Sequence, residues 1–451
     1  MLFTRKALTA LIVPLLIEQA LGVLVGMVDS VMVSSVGEAA VSGVSLVGTL
    51  NLLLVYVFTA LASGGAVIVS QLVGKKDYTR ANEAAKQLVW AVMIISTFIG
   101  LASAIFRWPL LKLVFGKVDS DVMYHAQIYF FFMALSFPFL GVRGAFGAVL
   151  RASGDTKTSM RASLYVNLIN VVGNALLIYV FNLEAAGAAI ATLFSRIVGA
   201  FSLLPAVKDK TRIVFIDKLF KYKPDFMYIK GICGIGLPNG LENGMFQFGK
   251  VLTQSLISGL GTACIAANAV SNSLTSLQYI PGTAISAAMI TVVGQCLGAQ
   301  EKEQAKIYAK KLLRIAYCCI IGISIIMCLF ANTLVGLYNL SPEAHKLGVN
   351  ILYLHSIIVC SIWPIAFTLP NSFRAASDVR FTMYVSITSM WLFRVGLSYV
   401  FVLALDLSVV GVWYAMACDW VFRAIIFGTR YLKGTWLTKY KPLKTSKKEA
   451  A

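Results

Sequence analysis

Charge is scarce in this sequence, and negative charge most of all: 13% of its 451 residues are charged, with 20 Asp and Glu against 39 Lys and Arg. So few ionic side chains cannot solvate the surface of a soluble domain of this size. Histidine is nearly absent, with three residues at 125, 345 and 355. They form no clustered catalytic set, which argues against a membrane-embedded enzyme. The eight Cys all fall in apolar stretches without C-x-x-C spacing, which excludes a disulfide framework or a zinc site. A nucleotide loop is missing too. "GMFQFGKV" at 244–251 fits G-x-x-x-x-G-K, but Val251 stands where the phosphate loop needs Ser or Thr.

What fills the space is hydrocarbon. The chain is 58% hydrophobic with a mean hydropathy of +0.79. A membrane-spanning helix needs about 20 mostly apolar residues, and such runs recur between short polar punctuations. Twelve spans are expected: 7–34, 44–73, 87–106, 125–150, 160–181, 187–206, 230–258, 265–297, 307–330, 347–372, 381–404 and 409–430. The N-terminal "FTRKALTALIVPLL" has no small-residue cleavage site and reads as the uncleaved first span. The fold class is therefore all-α and polytopic.

The net charge of +19 is sided. With loops assigned alternately to two faces, one face collects Arg5, Lys6, Lys75, Lys76, Arg80, Lys86, Arg151, Lys157, Arg161, the basic residues of 207–230, Lys302 to Arg314, Arg374, Arg380 and the tail. The other holds only Arg107, Lys112, Lys117 and Lys346. This bias places both termini in the cytoplasm of a multi-pass plasma-membrane protein. The partner it implies is anionic lipid, not nucleic acid.

The chain also repeats itself. Pro14, Glu18, Gly37, Leu50, Gln71, Gly74, Ala81, Ala85 and Lys86 recur as Pro238, Glu242, Gly261, Leu274, Gln295, Gly298, Ala305, Ala309 and Lys310, at a constant offset of 238 − 14 = 224. "RASGD" at 151–155 returns as "RAASD" at 374–378, offset by 223. Two six-span lobes in the same orientation follow. Their expected limits are 1–206 and 230–432, with a basic cytoplasmic linker at 207–229 and a basic cytoplasmic tail at 433–451.

Against this apolar background a few polar residues stand out. Asp29 sits in "GMVDSVMV", deep in the first span, where an isolated carboxylate costs several kcal/mol. It either binds a cation, carries a proton, or pairs with a membrane Arg such as Arg196. Asn167, Asn170 and Asn174 are spaced i, i+3, i+7 on one face of the fifth span. Such a stripe is either interhelical hydrogen-bond glue or, with a carboxylate in the same lobe, the oxygen lining of a cation pocket. Glu18 and Glu242 are repeat equivalents, each four residues after a helix-bending Pro, and Lys250 lies two turns beyond Glu242 as a possible neutralising partner. Asp419 and Arg423, one turn apart, read as a local ion pair. Phe246, Phe248 and Tyr279 are among the aromatics available to flat organic molecules.

The stretches "PLLIEQALGVLVGMVDSVMVSSVGEAAVSGVSL", "VIVSQLVGKKDYTRANEAAK", "LRASGDTKT", "GLPNGLENGMF" and "VVGQCLGAQEKEQAK" together resemble the multidrug and toxic compound extrusion family over nearly the whole chain. The resemblance implies a pair of six-helix lobes exporting organic, often cationic, amphipathic compounds in exchange for Na+ or H+. No cofactor and no nucleotide are expected beyond that coupling ion. The resemblance also implies that Asp29, Asn170, Asn174 and Thr192 form the cation-coupling site, with Asn174 at a place that is Asp in some relatives. Glu242 matches a seventh-span acid used by many members, whereas 347–373 lacks the tenth-span acid of one branch. The alternative is a lipid-linked saccharide flippase, which would be expected to have extra spans and a basic cleft.

Overall fold

The structure is a computed structural model that describes residues 2–36, 38–116, 119–217 and 223–440. Lys117, Lys218, Lys221 and the tail from 441 on, all counted in the charge bias, and Gly37 of the repeat lie outside these residues. Among the described residues there is no strand. Ten helices are long and apolar enough to cross a membrane, and Pro342–Ser361 with Pro364–Ala375, bent by 59°, make an eleventh. Phe226–Ser258, 33 residues long, completes twelve. Lys230, Glu242 and Lys250 interrupt its apolar sequence.

Packing divides the chain within this last helix, between Gly240 and Leu241. The first lobe holds α1 (Arg5–Ser34), α2 (Glu38–Gly74), α3 (Tyr78–Ile105), α4 (Arg107–Phe115), α5 (Ser120–Ala152), α6 (Thr156–Ala175), α7 (Glu184–Lys208) and the start of α8 (Phe226–Ser258). Here α5 is central and packs on α2, α3 and α7, while α6 packs on α1 and α7. Without a hydrophobic drive between helices in lipid, close backbone approach at small residues holds such a bundle. A Cβ added at Gly43 of α2 would stand 2.8 Å from the Ala126 nitrogen of α5, and one at Gly100 of α3 would stand 2.7 Å from the Ala134 oxygen. Neither position has room for a larger residue.

The second lobe continues with α9 (Thr262–Gly298), α10 (Lys302–Leu329), α11 (Ala331–Gly336), α12 (Pro342–Ser361), α13 (Pro370–Ala375), α14 (Val379–Ser389), α15 (Leu397–Tyr399) and α16 (Ser408–Lys433). Its α9 packs on α10, α12 and α13, as α2 packs on α3 and α5 in the first lobe. Both α1 and α8 run as helix through their prolines, Pro14 and Pro238.

The repeat is visible in backbone detail. Left-handed residues recur as Lys76 and Gln300, Gly154 and Ser377, Asn182 and Asp406, and Glu184 and Ser408. Those offsets are 224, 223, 224 and 224, so the second lobe regains one residue between 377 and 406. A π-helical stretch, Met390–Gly396, houses it. The corresponding part of the first lobe is regular α6, and both lobes share a later π turn, Leu176–Val180 and Val400–Ala404. A π stretch is how a helix accommodates one inserted residue, and such bulges concentrate at functional sites.

The described part of the linker packs against the first lobe. The Ile216 amide donates to Val207 O at 2.8 Å and the Phe215 amide to Asn82 Oδ1 at 3.0 Å. Arg212 ion-pairs with Asp155, the N-cap of α6. Burial alone would raise the Asp155 carboxyl, but hydrogen bonds from the Thr158 side chain and amide and from Arg212 outweigh it and hold it below the usual carboxylate range.

Candidate cation pocket and paired carboxylates

Asp29 on α1, Asn170 and Asn174 on α6 and Thr192 on α7 meet in the first lobe, because α6 packs between α1 and α7. Asn174 Nδ2 donates to Asp29 Oδ1 at 2.8 Å. The Asn170 amide satisfies its neighbours when Nδ2 donates to both Asp29 oxygens at 3.1 Å and Oδ1 accepts from Thr192 Oγ1 at 3.3 Å. Asn170 and Asn174 are buried, whereas Asp29 and Thr192 are half-buried.

Two features separate this cluster from ordinary hydrogen-bond glue. Asn174 Oδ1 is buried and accepts no hydrogen bond. A buried acceptor without a donor costs about 1–3 kcal/mol, so it calls for a hydrogen-bond donor or a cation. Also, among the described residues no Lys or Arg ion-pairs with Asp29. Arg196, the partner considered from sequence, donates instead to Ser136 Oγ at 2.7 Å. The third stripe member, Asn167, stands outside the cluster. Carboxylate, amide and hydroxyl oxygens are the donor set that a hard monovalent cation prefers, and the carboxylate alone suffices for a proton.

Glu242 is placed differently. Arg374 Nη2 donates to its Oε1 at 2.7 Å, and Thr382 Oγ1 lies 3.5 Å from its Oε2. Lys250, the possible partner considered from sequence, makes no ion pair with Glu242 among the described residues: the partner is Arg374, which returns to α8 from α13 across 132 residues. Glu18 has the same surroundings in the first lobe. Arg151 Nη1 lies 3.5 Å from Glu18 Oε1, Ser159 Oγ donates to Oε2 at 3.2 Å, and Ser163 Oγ donates to Oε1 at 3.1 Å. Arg151 and Ser159 correspond to Arg374 and Thr382 at the offset of 223, and Asp155 to Asp378, which pairs with Arg430 at 2.6 Å. The repeated "RASGD" and "RAASD" therefore encode partners for the repeated glutamates. Sequence reasoning saw both repeats without joining them.

The local pair Asp419 and Arg423 is present, with Arg423 Nε donating to Asp419 Oδ1 at 2.8 Å. "GMFQFGKV" lies inside α8 and makes no loop.

A duplicated all-helical membrane bundle with polar oxygens buried in one half has the construction of a secondary transporter. The MatE family profile matches residues 14–176 and 238–400, the same segment twice at the offset of 224. The chain belongs to this family, the multidrug and toxic compound extrusion transporters. It is similar to an uncharacterised transporter, YisQ, of Bacillus subtilis, 26% identical with 94% of each chain covered. It is also similar to a probable multidrug resistance protein, NorM, of Thermotoga maritima, 25% identical over 96% of this chain and 93% of the relative. A crystal structure of MATE in complex with MaD3S superposes with a TM-score of 0.90 at 20% identity, covering 96% of this chain and 97% of the other. The two-lobed, twelve-span fold expected from the sequence is the fold of these transporters.

Proposed function

We propose that the protein is a secondary-active antiporter of the plasma membrane, with both termini cytoplasmic, that exports amphipathic organic compounds in exchange for Na+ or H+. Its coupling site is Asp29, Asn170, Asn174 and Thr192. The observation that carries this reading is the unpartnered Asn174 Oδ1 beside an Asp29 carboxylate that no described Lys or Arg neutralises. The multidrug resistance names of the relatives support efflux as the direction.

A cation or proton at Asp29 would neutralise the carboxylate that the Asn170 and Asn174 amides hold, and so change the bonds that tie α6 to α1; a ligand shifts a conformational equilibrium only through such a difference. Glu242 enters this proposal as the anchor of Arg374 and not as a free acid for cationic substrate. The twelve-span architecture counts against the flippase alternative.

Purified protein in liposomes tests the reading. Efflux of an amphipathic dye should follow an imposed Na+ gradient or an imposed proton gradient and stop when that gradient is dissipated. Efflux indifferent to both gradients would overturn it.

A further inference from the structure

The second lobe contains a counterpart of the cation pocket with its polarity reversed. At the offset of 224 Asp29 corresponds to Thr253 and Thr192 to Met416, and Arg394, inside the π stretch where the offset returns from 223 to 224, stands at the place of Asn170. Those three residues line one pocket in the second lobe together with Lys250, Asn268 and Trp413. The carboxylate has become a hydroxyl, an amide has become a guanidinium, and Lys250 adds a second positive charge.

The elements explain how these groups converge. Lys250, Thr253, Gln254 and Ile257 are spaced i, i+3, i+4, i+7 and share one face of α8. Arg394 comes from Met390–Gly396, the π stretch that holds the residue inserted relative to the first lobe. The neutral polar groups already serve one another: Trp413 Nε1 donates to Asn268 Oδ1 at 3.2 Å and Asn268 Nδ2 to Gln254 Oε1 at 3.0 Å. The cations do not. Neither Lys250 nor Arg394 has an ion pair among the described residues, and Arg394 Nε is buried without a hydrogen-bond acceptor.

Lys250 and Arg394 are the charged groups that line this pocket, and Tyr279 of α9, His355 of α12 and Asp419 and Arg423 of α16 are the titratable groups around Arg394. Tyr279 and the imidazole of His355 bond each other at 2.7 Å. Lys250, Arg394 and Arg423 all approach the Phe246 ring, at 5.9, 5.5 and 5.5 Å from its centroid. Asp419 is the one described carboxylate beside them, and Arg423 takes it. Three cations thus share one carboxylate in a membrane-embedded lobe, an excess of positive charge that is expensive unless something negative arrives.

We propose that this pocket binds the oxyanion of an aromatic amphipathic acid, a carboxylate or a group of equal charge, with Arg394 and Lys250 as its donors and Trp413 beside it. The inference deepens the exporter reading and rests on it for the sense of the site: cation coupling in the first lobe, an acidic cargo in the second. A phosphate headgroup of a lipid offers the same chemistry, and the experiment separates the two sources.

Purified wild-type protein in detergent is titrated with 2-naphthoate and with 2-naphthylmethylammonium, which share a ring and differ in the sign of their charge. Naphthoate should bind about tenfold more tightly or better, and Arg394→Gln, with Lys250→Gln as the second variant, should weaken naphthoate about tenfold without weakening the ammonium probe. In nanodiscs of phosphatidylcholine, added phosphatidylglycerol should leave naphthoate affinity unchanged if the cargo is an exported acid. It should compete in wild type, but not in Arg394→Gln, if the ligand is a headgroup. Either result supports an oxyanion site. Preference for the ammonium probe, or equal loss of both probes in both variants, would overturn it. The titration needs no gradient, so its failure is distinct from a failure of ion-driven efflux.

Discussion

Arg374 and Glu242 form an ion pair 2.7 Å apart, and the repeat carries the same pair in the first lobe as Arg151 and Glu18 at 3.5 Å. The second pair is the tighter and the drier, with side chains 14% and 8% exposed against 27% and 16%. Removing one partner of a buried pair leaves an uncompensated charge at about 3–5 kcal/mol, whereas removing both costs much less. Arg374→Ala should therefore lower thermal stability sharply, and Arg374→Ala with Glu242→Gln should recover most of the loss. No recovery in the double variant would show that the pair is not the relevant interaction.

The linker predicts a pH dependence. The Asp155 carboxyl is depressed in the folded state, so its contribution is present above the ordinary carboxylate pKa of about 4 and is lost as the pH falls through its lower folded value. Asp155→Asn keeps a capping side chain but removes the charge facing Arg212, and should lower stability at pH 7 by about 1 kcal/mol. The gap between variant and wild type should close at acid pH, read by thermal unfolding across pH 2–7.

At the bend of the tenth span, a Cβ at Gly282 on α9 would collide with the Trp363 ring, which stacks on Tyr279 and Phe367 at 5.3 Å from each. Gly282→Val should displace that indole and cost about 1–3 kcal/mol by overpacking. Trp363→Leu in the same chain should restore most of it. Thermal unfolding of the single and double variants checks both statements.

Topology can be read by labelling. In a Cys-free background, single Cys at Lys210 and at Leu113, both strongly exposed, should label from opposite faces of the membrane. Labelling from the same face would contradict the sidedness drawn from Lys and Arg.

The helices were legible because hydrophobic length and the offset of 224 are properties of the chain itself. Asp29 and the Asn stripe were legible for a similar reason: a carboxylate and an i, i+4 pair of amides contrast with an apolar span. Long-range partners were not. Nothing local in "GLPNGLENG" points to Arg374, 132 residues away, and Lys250, near in sequence, drew attention that the packing of α13 and α14 against α8 redirects. The π stretch at Met390–Gly396 was hidden as well. It is a one-residue change of offset, detectable by comparing "RAASD" at 223 with the return to 224 near residue 406, and it places Arg394 in the second-lobe pocket.

The most direct test of the account is gradient-driven efflux by Asp29→Asn protein in liposomes, made after its thermal unfolding shows that it is folded. Asparagine keeps the shape of the side chain and its bond with Asn174 but removes the charge that a cation or proton would neutralise. The account predicts that efflux falls to the rate seen without a gradient while substrate still binds. Efflux at the wild-type rate under the same gradient would contradict it.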